Sequence, residues 1–123
     1  HLYVYLVYGL HHCMNVVAGP GGKPEAVLIR ALAIDEGIEL ARQRRGMNDD
    51  RRLASGPGNV GRALGVDRSL DGTDLLVGPV RLEPGARVSA ISAGPRIGVD
   101  YSGPWAAQPW RFWITGDPHV SRR

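Results

Sequence analysis

One cysteine, Cys13, and one lysine, Lys23, are all that this sequence has of either type. A lone cysteine excludes an internal disulfide and a cysteine-rich zinc site within the chain, and it favours an intracellular setting. The lone lysine stands in the Gly/Pro-rich run 19–24, a poor place for the desolvated amine of Schiff-base chemistry. No apolar stretch approaches the roughly 20 residues that span a bilayer. No basic-then-apolar leader of the secretory type stands within these residues, and there are no internal repeats.

What is present is an ordinary globular composition: 123 residues, 43% hydrophobic, expected to form a single domain, 1–123, with one core. The chain opens on His1 rather than Met and enters a strand at once, which suggests a fragment of a longer protein. Fifteen Lys and Arg against 12 acids leave a net charge of +3 and a pI near 9.5. That mild basic excess is compatible with nucleic acid without demanding it. The preference for Arg suits bidentate binding of phosphate, although a high-GC genome explains the shortage of Lys equally well.

Residues 2–8 are apolar or aromatic throughout and read as a strand buried on both faces. Alternation places Tyr3, Tyr5 and Val7 on one face and Leu2, Val4, Leu6 and Tyr8 on the other. A turn at 9–12, a strand at 13–17 and a third strand at 26–32 predict an antiparallel meander. A helix opens at Asp35 or Glu36 and runs to about Arg45, acidic at its start and basic at its end. A polar loop follows at 46–52. Ser55 is the expected N-cap of a short helix to about Leu64, with Pro57 near its first position. Short strands are expected near 77–82, 87–91, 96–99 and 110–114. The sum is a mixed α+β domain around a mainly antiparallel, curled β-sheet flanked by short helices.

Four residues stand out chemically. Tyr3 and Tyr5 share a face, Asn15 lies on the second strand, and Arg30 interrupts the apolar run Val27-Leu-Ile-Arg30-Ala-Leu32. Strand aromatics more often fill a core. A charge in a buried strand must be paired or face a polar cavity, and a structural ion pair is the commoner outcome. Aromatic faces with one amide and one guanidinium also suit recognition of a flat heterocycle.

The order of these residues resembles the alkyladenine (3-methyladenine) DNA glycosylase family. The matching segments are Tyr3-Val-Tyr5, Tyr8-Gly9, Cys13-Met-Asn15, Val27-Leu-Ile-Arg30-Ala-Leu32, Ser55-Gly-Pro57, Ala63-Leu-Gly-Val66, Asp74-Leu75, Pro95-Arg-Ile-Gly-Val99, Pro109-Trp-Arg-Phe112 and Val120-Ser121. Each is weak alone, but together they run in family order across nearly the whole chain. The resemblance implies a fold shared with the C-terminal domain of methionyl-tRNA formyltransferases. It implies a monofunctional enzyme of base-excision repair that flips a damaged purine out of duplex DNA and hydrolyses its N-glycosidic bond with water, using neither metal nor cofactor.

By that resemblance Tyr5 stacks on the flipped base, Tyr3 and Leu28 line the pocket, and Asn15 confronts the exocyclic amino group of a normal guanine. Tyr8 wedges into the duplex beside Leu10 and His11, and Arg30 partners the catalytic Glu and its water. Arg45, Arg68, Arg96 and Gly98 become phosphate contacts, while Asn59 falls where many members carry Lys. The family's catalytic Glu is expected before His1, since none of Glu25, Glu36, Glu39 or Glu83 has a matching context; the fragment alone is expected to be inactive. The implied protein is a cytoplasmic, nucleoid-associated monomer with no membrane partner.

The rival reading is a non-catalytic nucleic-acid-binding module, with a small-molecule α+β enzyme behind it. Three local patterns point elsewhere and are set aside. Gly56-Pro-Gly58-Asn-Val-Gly61 fits a dinucleotide fingerprint, but no buried strand precedes it. His11-His12-Cys13 alternate in direction and have no acid at ligand spacing. Asp49-Asp50-Arg51-Arg52 reads as a solvated loop.

Overall fold

The computed structural model describes residues 1–7, 9–18 and 25–120; Tyr8, Lys23 and Ser121 lie outside them. The chain divides into two compact units, His1–Glu83 with the segment from His119, and Pro84–Pro118. Among the described residues no helix is long and apolar enough to cross a membrane.

In the first unit, β1 (Leu2–Val7), β2 (His11–Ala18) and β3 (Glu25–Leu28) form an antiparallel sheet in that order. Gly9, in the left-handed region at φ 67°, turns β1 into β2. The fold is therefore α+β around antiparallel strands, as the pattern of the sequence predicts. The expectation that β1 is buried on both faces is not met. Leu2 and Val4 are buried while Tyr3 is 46% exposed, because α2 (Pro57–Leu64) covers one side of the sheet.

The apolar run 26–32 does not remain a single strand either. It leaves β2 after the Ile29 N–H donates to the Met14 carbonyl (3.0 Å). It then pairs with a new partner, the Leu32 N–H donating to Ala54 O (3.0 Å) and the Gly56 N–H to Arg30 O (2.8 Å). The outer edge of β1 is covered too: the Leu2 N–H donates to Thr73 O (2.8 Å) and the Val4 N–H to the Asp71 carboxylate (2.9 Å). No long strand edge is left to template pairing there.

Helix α1 (Ile38–Arg45) starts later than Asp35. Gly37 in the left-handed region precedes it, and no side chain caps it. Its charge order follows the macrodipole as expected, Glu39 in the first turn and Arg42, Arg44 and Arg45 in the last. Asp50 is not simply solvated, because it receives two hydrogen bonds from Arg42, Nε at 2.9 Å and Nη2 at 2.8 Å. Helix α2 begins at Pro57 as expected, yet its cap is Gly56 rather than Ser55. The Ser55 carbonyl instead accepts from Asn59 Nδ2 at 2.8 Å.

The glycine motif of α2 has a packing explanation. A Cβ on Gly61 would lie 1.9 Å from the His12 carbonyl oxygen, and one on Gly58 would lie 2.8 Å from His11 Cγ. Bare backbone lets the helix sit down on β2. Leu53, Ala54, Val60 and Ala63 then complete the core with Leu2, Val4 and Met14.

In the second unit, β4 (Ile91–Gly94) pairs with β5 (Arg111–Ile114). The strand expected at 110–114 is present, whereas the one expected at 77–82, in the first unit, is a turn and irregular chain, and the one expected at 96–99 is a bend. Asp74 organises the first turn, its carboxylate accepting from the Leu76 N–H (2.9 Å) and its carbonyl from the Gly78 N–H (2.8 Å). At 96–99 the chain bends at Gly98, φ 74°. Of the stretch expected at 87–91, only Ile91 is strand.

Candidate functional site

Strand register decides which side chains meet. Tyr3 stands opposite Asn15 and Tyr5 opposite Cys13 in the first pairing, and Asn15 stands opposite Leu28 in the second. Directly opposed residues point to the same face of a sheet. Tyr3, Asn15 and Leu28 therefore form one row, with Tyr5 and Cys13 beginning the next. Arg30, two residues beyond Leu28, is close enough to Cys13 for its charge to act on the thiol. Burial raises the Cys13 pKa and the Arg30 guanidinium opposes that rise. Tyr3, Tyr5 and Asn15 thus share the sheet face that α2 leaves uncovered, and Arg30 follows just beyond the end of β3.

The face is structured rather than open. Tyr3 and Tyr5 rings lie 5.4 Å apart at 40°. Asn15 is the sole buried polar residue among those described, 5% exposed. Its Nδ2 donates a long hydrogen bond, 3.4 Å, to the Tyr3 carbonyl, which orients the amide. Burying an amide costs free energy unless it is bonded, so Asn15 holds this place at some expense of stability. Cys13, at 4% exposure, belongs to the same wall. Sequence reasoning passed over it as a metal decoy, and the cross-strand register was the signal that could have found it.

The other expected contacts are dispersed. Leu10 is 77% exposed in the β1–β2 turn. His11 opens β2 half-buried, its ring close above Gly58. Arg45 is partly occupied: its Nε donates to the Leu53 carbonyl (2.8 Å) and its Nη2 to the Arg52 carbonyl (3.4 Å), tying α1 to the loop beyond it. Burial, then the charges of Arg62 and Arg52, lower its pKa. Arg68 is exposed at the start of a 3-10 turn, Arg68–Leu70. Arg96 and the exposed Gly98 belong to the second unit, where Arg96 Nη2 donates to the Trp105 carbonyl at 3.2 Å. Among the described residues no three His, Cys, Asp or Glu side chains gather in a way that could hold a metal ion.

Comparison with known proteins adds an independent line. The family model described as methylpurine-DNA glycosylase matches residues 1–118. A provisionally named 3-methyladenine DNA glycosylase of Streptomyces avermitilis is 51% identical over 98% of this chain and 59% of its own length. Proteins given the same provisional name in Rhizobium meliloti and Myxococcus xanthus are 46% and 45% identical, covering 63% and 58% of their lengths. The chain spans about three fifths of the length of these curated relatives. With a family model matched across almost every residue, the chain belongs to the methylpurine-DNA glycosylase family.

Proposed function

We propose that this chain forms the greater part of a monofunctional DNA glycosylase. The enzyme would excise alkylated or deaminated purines, 3-methyladenine among them, from duplex DNA in base-excision repair. The observation that carries the reading is the co-facial set Tyr3, Tyr5, Asn15 and Leu28 on the sheet side away from the core, with Arg30 two residues beyond Leu28 and near Cys13. Flipping a nucleotide out of the stack requires a pocket that stacks its π-face and inspects its edge. Two tyrosine rings at 5.4 Å supply the first function, with Tyr5 stacked on the base. The oriented Asn15 amide supplies the second by opposing the 2-amino group of guanine, and Leu28 forms the floor.

Arg30 would hold the carboxylate and the water that attacks C1′, stabilising them as cationic character develops on the sugar. No acid of this chain is assigned as that carboxylate; the proposal places it outside these residues, and these residues by themselves would excise nothing. Tyr8 would fill the vacated stack, with Leu10 and His11 beside it. Arg45, Arg68, Arg96 and the backbone at Gly98 would meet phosphates. The protein would act as a cytoplasmic monomer associated with the nucleoid, without metal or cofactor.

Arg30→Ala, in the whole gene product, is expected to lower single-turnover excision by about 10²–10³-fold. Binding to an abasic-site duplex should fall much less, because the stacking and phosphate contacts remain. A folded variant that excises near normally, or whose loss merely tracks unfolding in a parallel thermal melt, would remove Arg30 from this role.

A further inference from the structure

The second unit carries an aromatic cluster that the base-pocket reading leaves unused. Its 3-10 segment, Asp100–Ala107, borders an open hollow of about 540 Å³ lined by Arg96, Tyr101, Ser102, Trp105 and Trp110. The hollow is shallow and open rather than enclosed, so a ligand would lie against its walls. Gly103, at φ 63° and followed by Pro104, breaks the segment, and both halves contribute to the lining. Trp105 and Trp110 stack with ring centroids 5.7 Å apart at 22°. Even so they remain 58% and 48% exposed, and Tyr101 is 87% exposed. The Arg96 guanidinium lies over the Trp110 ring at 5.0 Å. Its Nη2 is tied to the Trp105 carbonyl, while its Nε is buried with no acceptor among the described residues.

We propose that this cavity is a further nucleic-acid site, in which one unpaired nucleotide of a single strand stacks its base on the exposed indole of Trp105, backed by Trp110, and sets its phosphate on Arg96, the guanidinium for which the duplex phosphate of the reading above would compete. The inference rests on the nucleic-acid reading above and extends it to a strand that is not base-paired. Indole faces accept any base, because every base has a π-face. A guanidinium over an indole still carries its positive charge and N–H donors toward phosphate oxygens. A proline-rich peptide would use the aromatic walls but would leave a half-satisfied guanidinium without a partner. Charge complementarity therefore selects the nucleotide.

All three tryptophans of this chain, Trp105, Trp110 and Trp113, lie in Pro84–Pro118, so the part of the emission that Trp105→Phe or Trp110→Phe removes reports this unit and not the tyrosine face. The test titrates the whole gene product with an undamaged short oligothymidylate, with inorganic polyphosphate as charge without bases, and with a proline-rich peptide. Oligothymidylate should quench the emission, and Trp105→Ala should weaken its binding about tenfold while polyphosphate binding stays unchanged. Trp105→Phe, which keeps a stacking face and protects against a misfolded Ala variant, should retain most of the affinity. Arg96→Ala should weaken both polyanions and flatten the salt dependence. Oligothymidylate binding indifferent to Trp105→Ala, or quenching by the peptide alone, would overturn the proposal. Excision from a damaged duplex is scored on the same preparations. Excision without oligothymidylate binding sinks only this inference, and binding without excision sinks only the glycosylase reading.

Discussion

Leu2, Val4 and Met14 alternate along β1 and β2 with Tyr3, Tyr5 and Asn15, yet the two sets live in different surroundings. The first set meets Val60 and Ala63 of α2 in the core. The second set carries one buried amide, two phenol rings and, one strand further, a guanidinium. A period of two residues is enough to separate a face that holds the fold together from a face available for chemistry. If the proposed pocket is right, substitutions along these strands should divide by parity rather than by proximity, most clearly at the exposed Tyr3.

The largest expected effect lies on the core side. Gly61→Val would drive a side chain into the His12 carbonyl, which a Cβ already approaches to 1.9 Å, and should cost more than about 4 kcal/mol. Loss of the cooperative melt of the whole gene product checks this, and a normal melt would mean that α2 is not seated on β2 as described. Met14→Ala should cost about 2–5 kcal/mol by leaving a core cavity, measured by urea unfolding. Its neighbour Tyr3→Ala tests the parity rule directly. Being 46% exposed, Tyr3 should change stability by no more than about 0.5 kcal/mol, while affinity for a lesion-containing duplex should fall about tenfold with the loss of pocket surface. If Tyr3→Ala destabilises as much as Met14→Ala, the two faces do not differ in the way proposed.

The smallest effect is electrostatic and lies away from both faces. Hydrogen bonds from Arg42 hold the Asp50 carboxyl below its ordinary pKa of 3.8. A depressed carboxylate pKa contributes stability above the unfolded value, and that stability disappears as pH falls through the lower folded value. Asp50→Asn should therefore melt slightly below the parent near neutrality and coincide with it in strong acid. The pair is solvent-screened, so the gap should also narrow with added salt.

Parity was readable in the sequence because it is local: Tyr3, Tyr5 and Asn15 needed only alternation and a Gly9 turn to be placed together. Arg30 was readable as an anomaly, a charge among Val27, Leu28 and Ile29. What was not readable is long-range. The run 26–32 looks continuous, and nothing in it signals that its backbone changes partners after Ile29. Apolar Leu76, Val77 and Leu82 suggested a strand, but Asp74 and Gly78 close turns first, leaving those side chains 80%, 75% and 61% exposed. The cluster of Arg96, Trp105 and Trp110 depends on left-handed glycines at Gly98 and Gly103 that no periodicity encodes. Gly58 and Gly61 were visible as a motif, while their use as contact points for β2 depended on the helix lying across that strand.

The change of partner near Ile29 has a mechanical meaning for the proposed chemistry. The carbonyl of Arg30 is held by the N–H of Gly56, the residue from which α2 springs. The same helix rests on the His12 carbonyl through Gly61. One short helix is thus fastened to two walls of the tyrosine face, at Arg30 and beside Cys13. On the proposed reading, a shift of α2 would move the Arg30 backbone and with it the aim of the guanidinium. Variants of the second helix that never touch a base should then surface as slow catalysts with intact substrate affinity, a class that a search confined to the pocket would pass over.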